Sequence, residues 1–88
     1  MVIKFERSFF KDLDKIREEK TASQLKEIIA KLEATSEITE ISNLKKLKGH
    51  SSAFRIRVGD YRLGVFVSGN TIEVNRFLHR KEIYRYFP

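Results

Sequence analysis

Hydrophobic and polar residues change their spacing along the chain, from helical periodicity in the first half to alternation in the second. Residues 2–6 alternate loosely and predict a short first strand. Apolar residues then recur at helical spacing and predict a helix over about residues 8–19, with Asp12 on its solvent side. A second helix is predicted to begin at Thr21, because Thr21 to Gln24 matches a capping box. The two helices form a helical hairpin.

The second half of the chain has a period of two, which predicts β-strands. Residues 54–58 and 61–67 alternate on either side of Gly59-Asp60, a pair typical of a two-residue hairpin turn. Another turn and a further strand over residues 71–78 follow. The sequence therefore predicts a β-hairpin extended by one strand.

Three remaining segments complete the predicted fold. Between Glu37 and Gly49 no signal fixes the conformation, and we expect an ordered connection with room for a helical turn. Strict alternation would turn Arg76 inward, so we expect a β-bulge or an edge position near it. Residues 79–88 form a short basic and aromatic tail. The expected class is α+β, in one domain over residues 1–88: an N-terminal strand, a helical hairpin, an antiparallel sheet of three further strands and the tail.

Positive charge is concentrated in the second half. The 88 residues carry a net charge of +6, and from Lys45 onward ten Lys and Arg face three acidic residues, whereas nine acidic residues precede Lys45. This asymmetry favours a polyanionic partner.

Several kinds of site are not expected. The chain has no cysteine, and His50 has no second histidine or acidic cluster at ligand spacing, so neither a metal site nor a cofactor is predicted and His50 is assigned to a loop or an RNA contact. No apolar run approaches the length that spans a membrane. We expect no membrane partner and a cytoplasmic location.

The predicted hairpin gathers arginines on one face. A two-residue turn at Gly59-Asp60 pairs Arg57 with Arg62 and Arg55 with Gly64, so the three arginines share one side of the sheet. Like charges opposite each other oppose folding by a few tenths to about 1 kcal/mol per pair. A solvated sheet face is the plain alternative, but rigid, bidentate arginine suits phosphate, and Gly64 leaves room for a ligand.

These residues carry a resemblance that spans nearly the whole chain. Its specific segments are Leu47-Lys48-Gly49, Phe54-Arg55-Ile56-Arg57-Val58-Gly59-Asp60-Tyr61-Arg62-Leu63 and His79-Arg80-Lys81-Glu82-Ile83-Tyr84. They resemble the RelE/ParE superfamily of toxins from type II toxin–antitoxin systems. The RelE-like members are mRNA endonucleases that act in the ribosomal A site and stop translation. The resemblance implies a catalytic set of Arg55, Arg57, Arg62, Arg80 and Tyr84.

Proton transfer is the weak point of this assignment. RelE-like enzymes commonly have lysine where Arg55 and Arg57 stand, and arginine stays protonated and is a poor proton donor. Tyr84 has two interpretations, a general base or a side chain that packs or stacks on a base. For His79 and Glu82 we favour structural roles over catalysis.

Other residues are candidates for RNA binding. Lys45, Lys46 and Lys48 extend the basic surface, with a solvated loop as the alternative. Phe66 lies on the arginine face and either stacks on a base or is covered by the tail.

Three functions are open from the sequence. The first is a ribosome-dependent mRNA endonuclease, whose partners are the ribosome, mRNA and a cognate antitoxin that covers the basic face. The second is a ParE-like toxin that inhibits DNA gyrase by binding protein. The third is a degenerate toxin that still binds its antitoxin. The arginine set favours the endonuclease.

Overall fold

The chain folds as a five-stranded sheet with helices against it. In the computed structural model, which describes residues 1–88, the strand order is β1-β5-β4-β3-β2. The strands are β1 Val2–Phe5, β2 Leu44–Lys46, β3 Ala53–Val58, β4 Tyr61–Ser68 and β5 Thr71–His79, and the helices are α1 Arg7–Leu13, α2 Glu19–Ala34 and α3 Ile83–Tyr86. Strand β1 runs parallel to β5, and the other neighbours are antiparallel. The predicted α+β class and order of elements are confirmed.

The hairpin of β3 and β4 has the predicted register. Val58 lies opposite Tyr61, and Arg57 lies opposite Arg62. Gly59 has a φ of 59°, the left-handed conformation that such a turn requires and that glycine adopts without steric cost. Because side chains alternate along a strand, this register places the arginines on the face opposite the main core.

Two hydrophobic clusters lie on the two faces of the sheet. The main core joins the helices to the sheet, and its buried members are Phe9, Leu25, Leu32, Ile38, Ile41, Ile56, Val58, Leu63, Val65, Ile72, Val74 and Phe77. A smaller cluster on the other face joins the tail to the sheet through Leu47, Ala53, Ile83 and Phe87. The tail therefore packs beside the arginines.

The predicted end of the first helix and the predicted start of the second need correction. Helix α1 ends at Leu13 instead of about residue 19, and α2 begins at Glu19, before the predicted cap. Thr21 lies inside α2 and is buried, so the predicted capping box is wrong. Glu18 takes the N-cap position without a side-chain hydrogen bond. None of the helices has both the length and the apolar character needed to cross a membrane.

Helix α1 packs against the part of β5 that extends beyond β1. The Ser8 hydroxyl donates to the Asn75 carbonyl at 2.6 Å, and the Asp12 carboxylate accepts a bond from the Phe77 backbone N–H at 2.9 Å. Asp12 also accepts two bonds from Arg76, at 2.8 and 2.9 Å, and is 3% exposed. The prediction that Asp12 faces solvent is therefore wrong, because its carboxylate satisfies groups on an unpaired strand edge.

The expected irregularity near Arg76 is confirmed. Gly64 lies opposite Arg76, but the next residue, Val65, lies opposite Val74, so Asn75 is the extra residue of a β-bulge. The bulge lets Arg76 reach Asp12 from the arginine face of the sheet.

The unassigned connection contains a strand that the sequence did not reveal. After a short 3₁₀ helix over Ile38–Glu40, the chain enters β2, which pairs Lys45 with Arg55 and Lys46 with Phe54. The sheet thus has four strands after the helical hairpin instead of the three predicted. Strand β2 has only three residues, too few to show a period of two.

Candidate functional site

Five polar side chains line an open pocket on the face opposite the main core. They form two rows across the strands. Since Leu44 lies opposite Ile56, Asn43 falls in the row of Arg57 and Arg62, and Lys45 falls in the row of Arg55. We call this the arginine pocket. It has a volume of about 280 Å³, and its lining residues are Asn43, Lys45, Arg55, Arg57 and Arg62. Four of the five are cationic and none is acidic.

The pocket's cations have no carboxylate partner. The structure's one ion pair within 4.0 Å joins Arg76 to Asp12, outside the pocket. Arg62 is held instead by backbone oxygens, since its Nη1 donates to the carbonyls of Gly59 and Tyr61, both at 2.9 Å. The positive charge therefore remains available to an anion from outside.

Burial and neighbouring positive charge act on Arg62 in the same direction. Burial, followed by the guanidinium groups of Arg57 and Arg80, lowers the pKa of Arg62. Asp60 raises that pKa, but its effect is smaller than these three. A bound phosphate would offset this repulsion and can accept bidentate bonds from guanidinium groups.

Arg55 differs from the other arginines because the tail holds it. Its Nη2 donates to the Phe87 carbonyl at 3.5 Å, and its Nε is buried without a hydrogen-bond partner. Lys45, directly opposite on β2, is exposed. In the row that contains both residues, Lys45 is thus the cation more open to a ligand.

The open space predicted above Gly64 is filled. The Phe87 side chain is 1% exposed and lies so close to Gly64 that a Cβ there would be 2.6 Å from the ring. The same ring contacts Phe66, with centroids 5.0 Å apart. Of the two roles open for Phe66, the structure shows the one in which the tail covers its ring. Stacking on a base would require the tail to move.

The remaining members of the predicted catalytic set, Arg80 and Tyr84, do not line the pocket. The Arg80 backbone N–H donates to the Asp60 carbonyl at 2.8 Å, which fixes Arg80 beside the hairpin turn. Tyr84 lies on α3, is 60% exposed and forms no hydrogen bond with an arginine. Its role as a base stays a prediction.

The three lysines proposed for RNA binding separate in the fold. Lys45 belongs to the arginine pocket. Lys46 lies opposite Phe54, whose ring packs against the main core, so Lys46 projects from the other face of the sheet. Lys48 is exposed in the turn that follows β2. The fold therefore does not support a common RNA surface for Lys45 and Lys46.

The two residues for which structural roles were favoured lie at the end of β5. The Nδ1 atom of His79 accepts a bond from the Lys81 backbone N–H at 3.2 Å, and its ring meets Tyr61 edge-on at 5.6 Å. Glu82 is exposed and its backbone N–H donates to the His79 carbonyl. His50 is exposed in a turn after β2.

Sequence reasoning missed Asn43 as a pocket residue. Asn43 has a φ of 62°, and its carbonyl accepts a bond from the Arg57 backbone N–H at 3.0 Å. Asparagine is among the few non-glycine residues that adopt this conformation readily, which is the signal that the sequence offered.

Comparison with known proteins places this fold and site in a family. The model of the ParE toxin of the type II toxin–antitoxin system parDE matches residues 3–84. Toxin RelE3 of Methanocaldococcus jannaschii is 39% identical over 89 residues, covering 100% of both chains.

Solved structures agree with this assignment. The toxin in the crystal structure of a RelB-RelE antitoxin-toxin complex from Methanococcus jannaschii is 39% identical, with a TM-score of 0.82 over 97% of this chain and 99% of that one. A RelE-RelB complex from Pyrococcus horikoshii OT3 shares the fold, with 23% identity and a TM-score of 0.72 over 90% of this chain and 93% of that one. A YoeB dimer from Staphylococcus aureus also shares it, with 19% identity and a TM-score of 0.73 over 91% of this chain and 97% of that one. The chain belongs to the RelE/ParE family of toxins of type II toxin–antitoxin systems, and it is RelE-like.

Proposed function

We propose that this toxin is a ribosome-dependent mRNA endonuclease that inhibits translation in the cytoplasm. The observation that carries the proposal is the arginine pocket, in which four cations face one open volume and none of them forms an ion pair with an acid. Such a site suits a phosphodiester whose negative charge increases in the transition state. We treat residues 1–88 as the single domain that carries the site.

The proposed reaction is attack by a ribose 2′-hydroxyl on the adjacent phosphate. Arg57 and Arg62, directly opposite each other on β3 and β4, would bind the phosphate oxygens and stabilise their growing charge. Arg55 lines the same pocket, and Arg80 adds positive charge beside Arg62. Tyr84 is the proposed base for the 2′-hydroxyl proton.

A cognate antitoxin is the proposed inhibitor. The relative in the Methanococcus jannaschii structure was crystallised as an antitoxin-toxin complex. For this chain, an antitoxin segment lying across the basic face would exclude RNA from the arginine pocket. Neutralisation would then require no change in the toxin's fold.

Gyrase inhibition is the second candidate, because the matching family model describes a ParE toxin. A protein-binding toxin of that kind does not need a phosphate pocket. The 39% identity to a toxin named RelE3 favours the nuclease.

The decisive experiment is translation of a defined mRNA on purified ribosomes, with new 5′ ends mapped and gyrase supercoiling measured in parallel. We expect cleavage by the wild type and a loss of about 10²–10³-fold in Arg62→Ala, the typical effect of removing one donor to a transition-state oxyanion. Arg17→Ala is the matched control, since Arg17 is exposed and bonds only to the Asp14 carbonyl. Intact message together with blocked supercoiling would refute the nuclease.

A further inference from the structure

The proposed mechanism lacks a proton donor for the departing 5′-oxygen. The guanidinium groups of the arginine pocket stabilise charge but do not release protons at physiological pH. Asn43, the one neutral lining residue, has no acidic proton. Among the residues that line the pocket, only Lys45 carries a group that can both bind a phosphate and give up a proton.

We propose that Lys45 is the general acid of the cleavage reaction. This inference rests on the proposed nuclease function. RelE-like enzymes commonly have lysine where Arg55 and Arg57 stand, and arginine is a poor proton donor. Lys45, on the edge strand β2, would donate the proton in their place.

The backbone fixes where Lys45 stands. Lys45 lies directly opposite Arg55, and β2 is tied to β3 on both sides of this pair, by Arg57 N–H to Asn43 O and by Leu47 N–H to Ala53 O, both at 3.0 Å. Opposite residues in an antiparallel pair have Cβ atoms about 5 Å apart. The lysine therefore cannot leave the pocket's face without breaking the strand.

The two rows of the pocket separate two tasks. Arg57 and Arg62 form one row, and Lys45 and Arg55 form the next, two residues further along β3 and therefore about 7 Å away. A phosphate held by the first row would lie about one row from Lys45, a distance that the long lysine side chain can span. Arg55 is engaged by the Phe87 carbonyl, which leaves Lys45 as the exposed cation of its row.

The chemical step is balanced as follows. The 2′-oxygen forms a bond to phosphorus while the bond from phosphorus to the 5′-oxygen breaks. The 2′-hydroxyl proton passes to the base, and the Lys45 ammonium gives a proton to the departing 5′-oxygen. The products are a 2′,3′-cyclic phosphate and a 5′-hydroxyl. The protonated base then releases its proton to solvent and the neutral amine takes one up, so both groups return to their starting forms.

The test compares Lys45→Arg with the wild type in single-turnover cleavage of mRNA on purified ribosomes. Arginine keeps the positive charge but not the transferable proton, so the rate at saturating toxin should fall about 10²–10⁴-fold, the usual contribution of a general acid. The half-saturating toxin concentration should change little. Lys45→Gln should lose rate similarly and also bind more weakly. Lys4→Arg, at an exposed lysine of β1 on the opposite edge of the sheet, should cleave like the wild type.

A second substrate identifies the proton's destination. Sulfur in place of the bridging 5′-oxygen leaves without protonation, so Lys45→Arg should cleave this RNA at nearly the wild-type rate. Normal cleavage of ordinary RNA by Lys45→Arg would overturn the assignment, and so would a loss that the sulfur substrate does not restore. If the wild type itself leaves mRNA intact, the proposed function fails first, and this inference fails with it.

Discussion

Replacing Gly64 with alanine tests how the tail is attached to the arginine face. A Cβ at this position would lie 2.6 Å from Phe87 Cγ and within 2.8 Å of both Cδ atoms. These distances are far below ordinary van der Waals contact, and the obstacle is a buried ring in place of a flexible side-chain end. Either the ring or the strand must move.

The size of the effect follows from the two ways of relieving this overlap. If Phe87 stays in place, overpacking of this kind costs about 1–3 kcal/mol. If the ring is expelled, the chain loses the burial of one phenylalanine side chain, about 1.5–3 kcal/mol. The protein will relieve the overlap in whichever of these two ways costs less free energy. We therefore expect Gly64→Ala to lower the free energy of unfolding by about 1–3 kcal/mol.

Urea unfolding of four proteins measures this contact: the wild type, Gly64→Ala, Phe87→Ala and the double variant. Phe87→Ala removes the obstacle, so the added methyl group should cost much less in that background, and the coupling energy should fall in the 0.5–3 kcal/mol range of contacting residues. An equal cost of Gly64→Ala with and without the Phe87 ring would refute the steric explanation. A wild-type stability for Gly64→Ala would refute it as well.

Two further predictions concern stability away from the pocket. Asp12→Ala should cost about 1–3 kcal/mol in urea unfolding, because it orphans a buried backbone donor and leaves the partly exposed Arg76 without its ion-pair partner. A loss below about 0.5 kcal/mol would contradict this. Gly59→Ala should cost about 1–2 kcal/mol, because its φ of 59° is left-handed, and Gly59→Asn should cost less; equal values for the two variants would contradict this reasoning.

The site's central geometry was predictable because a local feature determines it. Gly59-Asp60 sets the turn, and a two-residue turn fixes which residues face each other along both strands. The pairing of Arg57 with Arg62 follows from that alone, without any knowledge of the rest of the fold. The bulge near Arg76 was predictable for a similar reason, since strict alternation would have turned a charged residue inward.

The features that the sequence did not reveal depend on contacts between distant segments. The carboxylate of Asp12 is buried because it meets a strand edge more than 60 residues later in the chain. Strand β2 exists because β3 offers it an edge, and its three residues carry no period of their own. Glycine at position 64 suggested open space, and only the folded tail shows that Phe87 occupies it.

The distribution of acids around the sheet explains how one face can hold so many arginines. Arg76 shares that face and is neutralised by Asp12, whereas the arginine pocket has no acidic lining residue. Repulsion of about 1 kcal/mol or less per opposed pair is small against the 5–15 kcal/mol by which domains are typically stable, so the fold tolerates it. A phosphate that enters the pocket offsets this repulsion, because the anion attracts every cation at once. Arginines that cannot release protons are suited to this task, and Lys45, in the adjacent row, complements them with a proton that it can release.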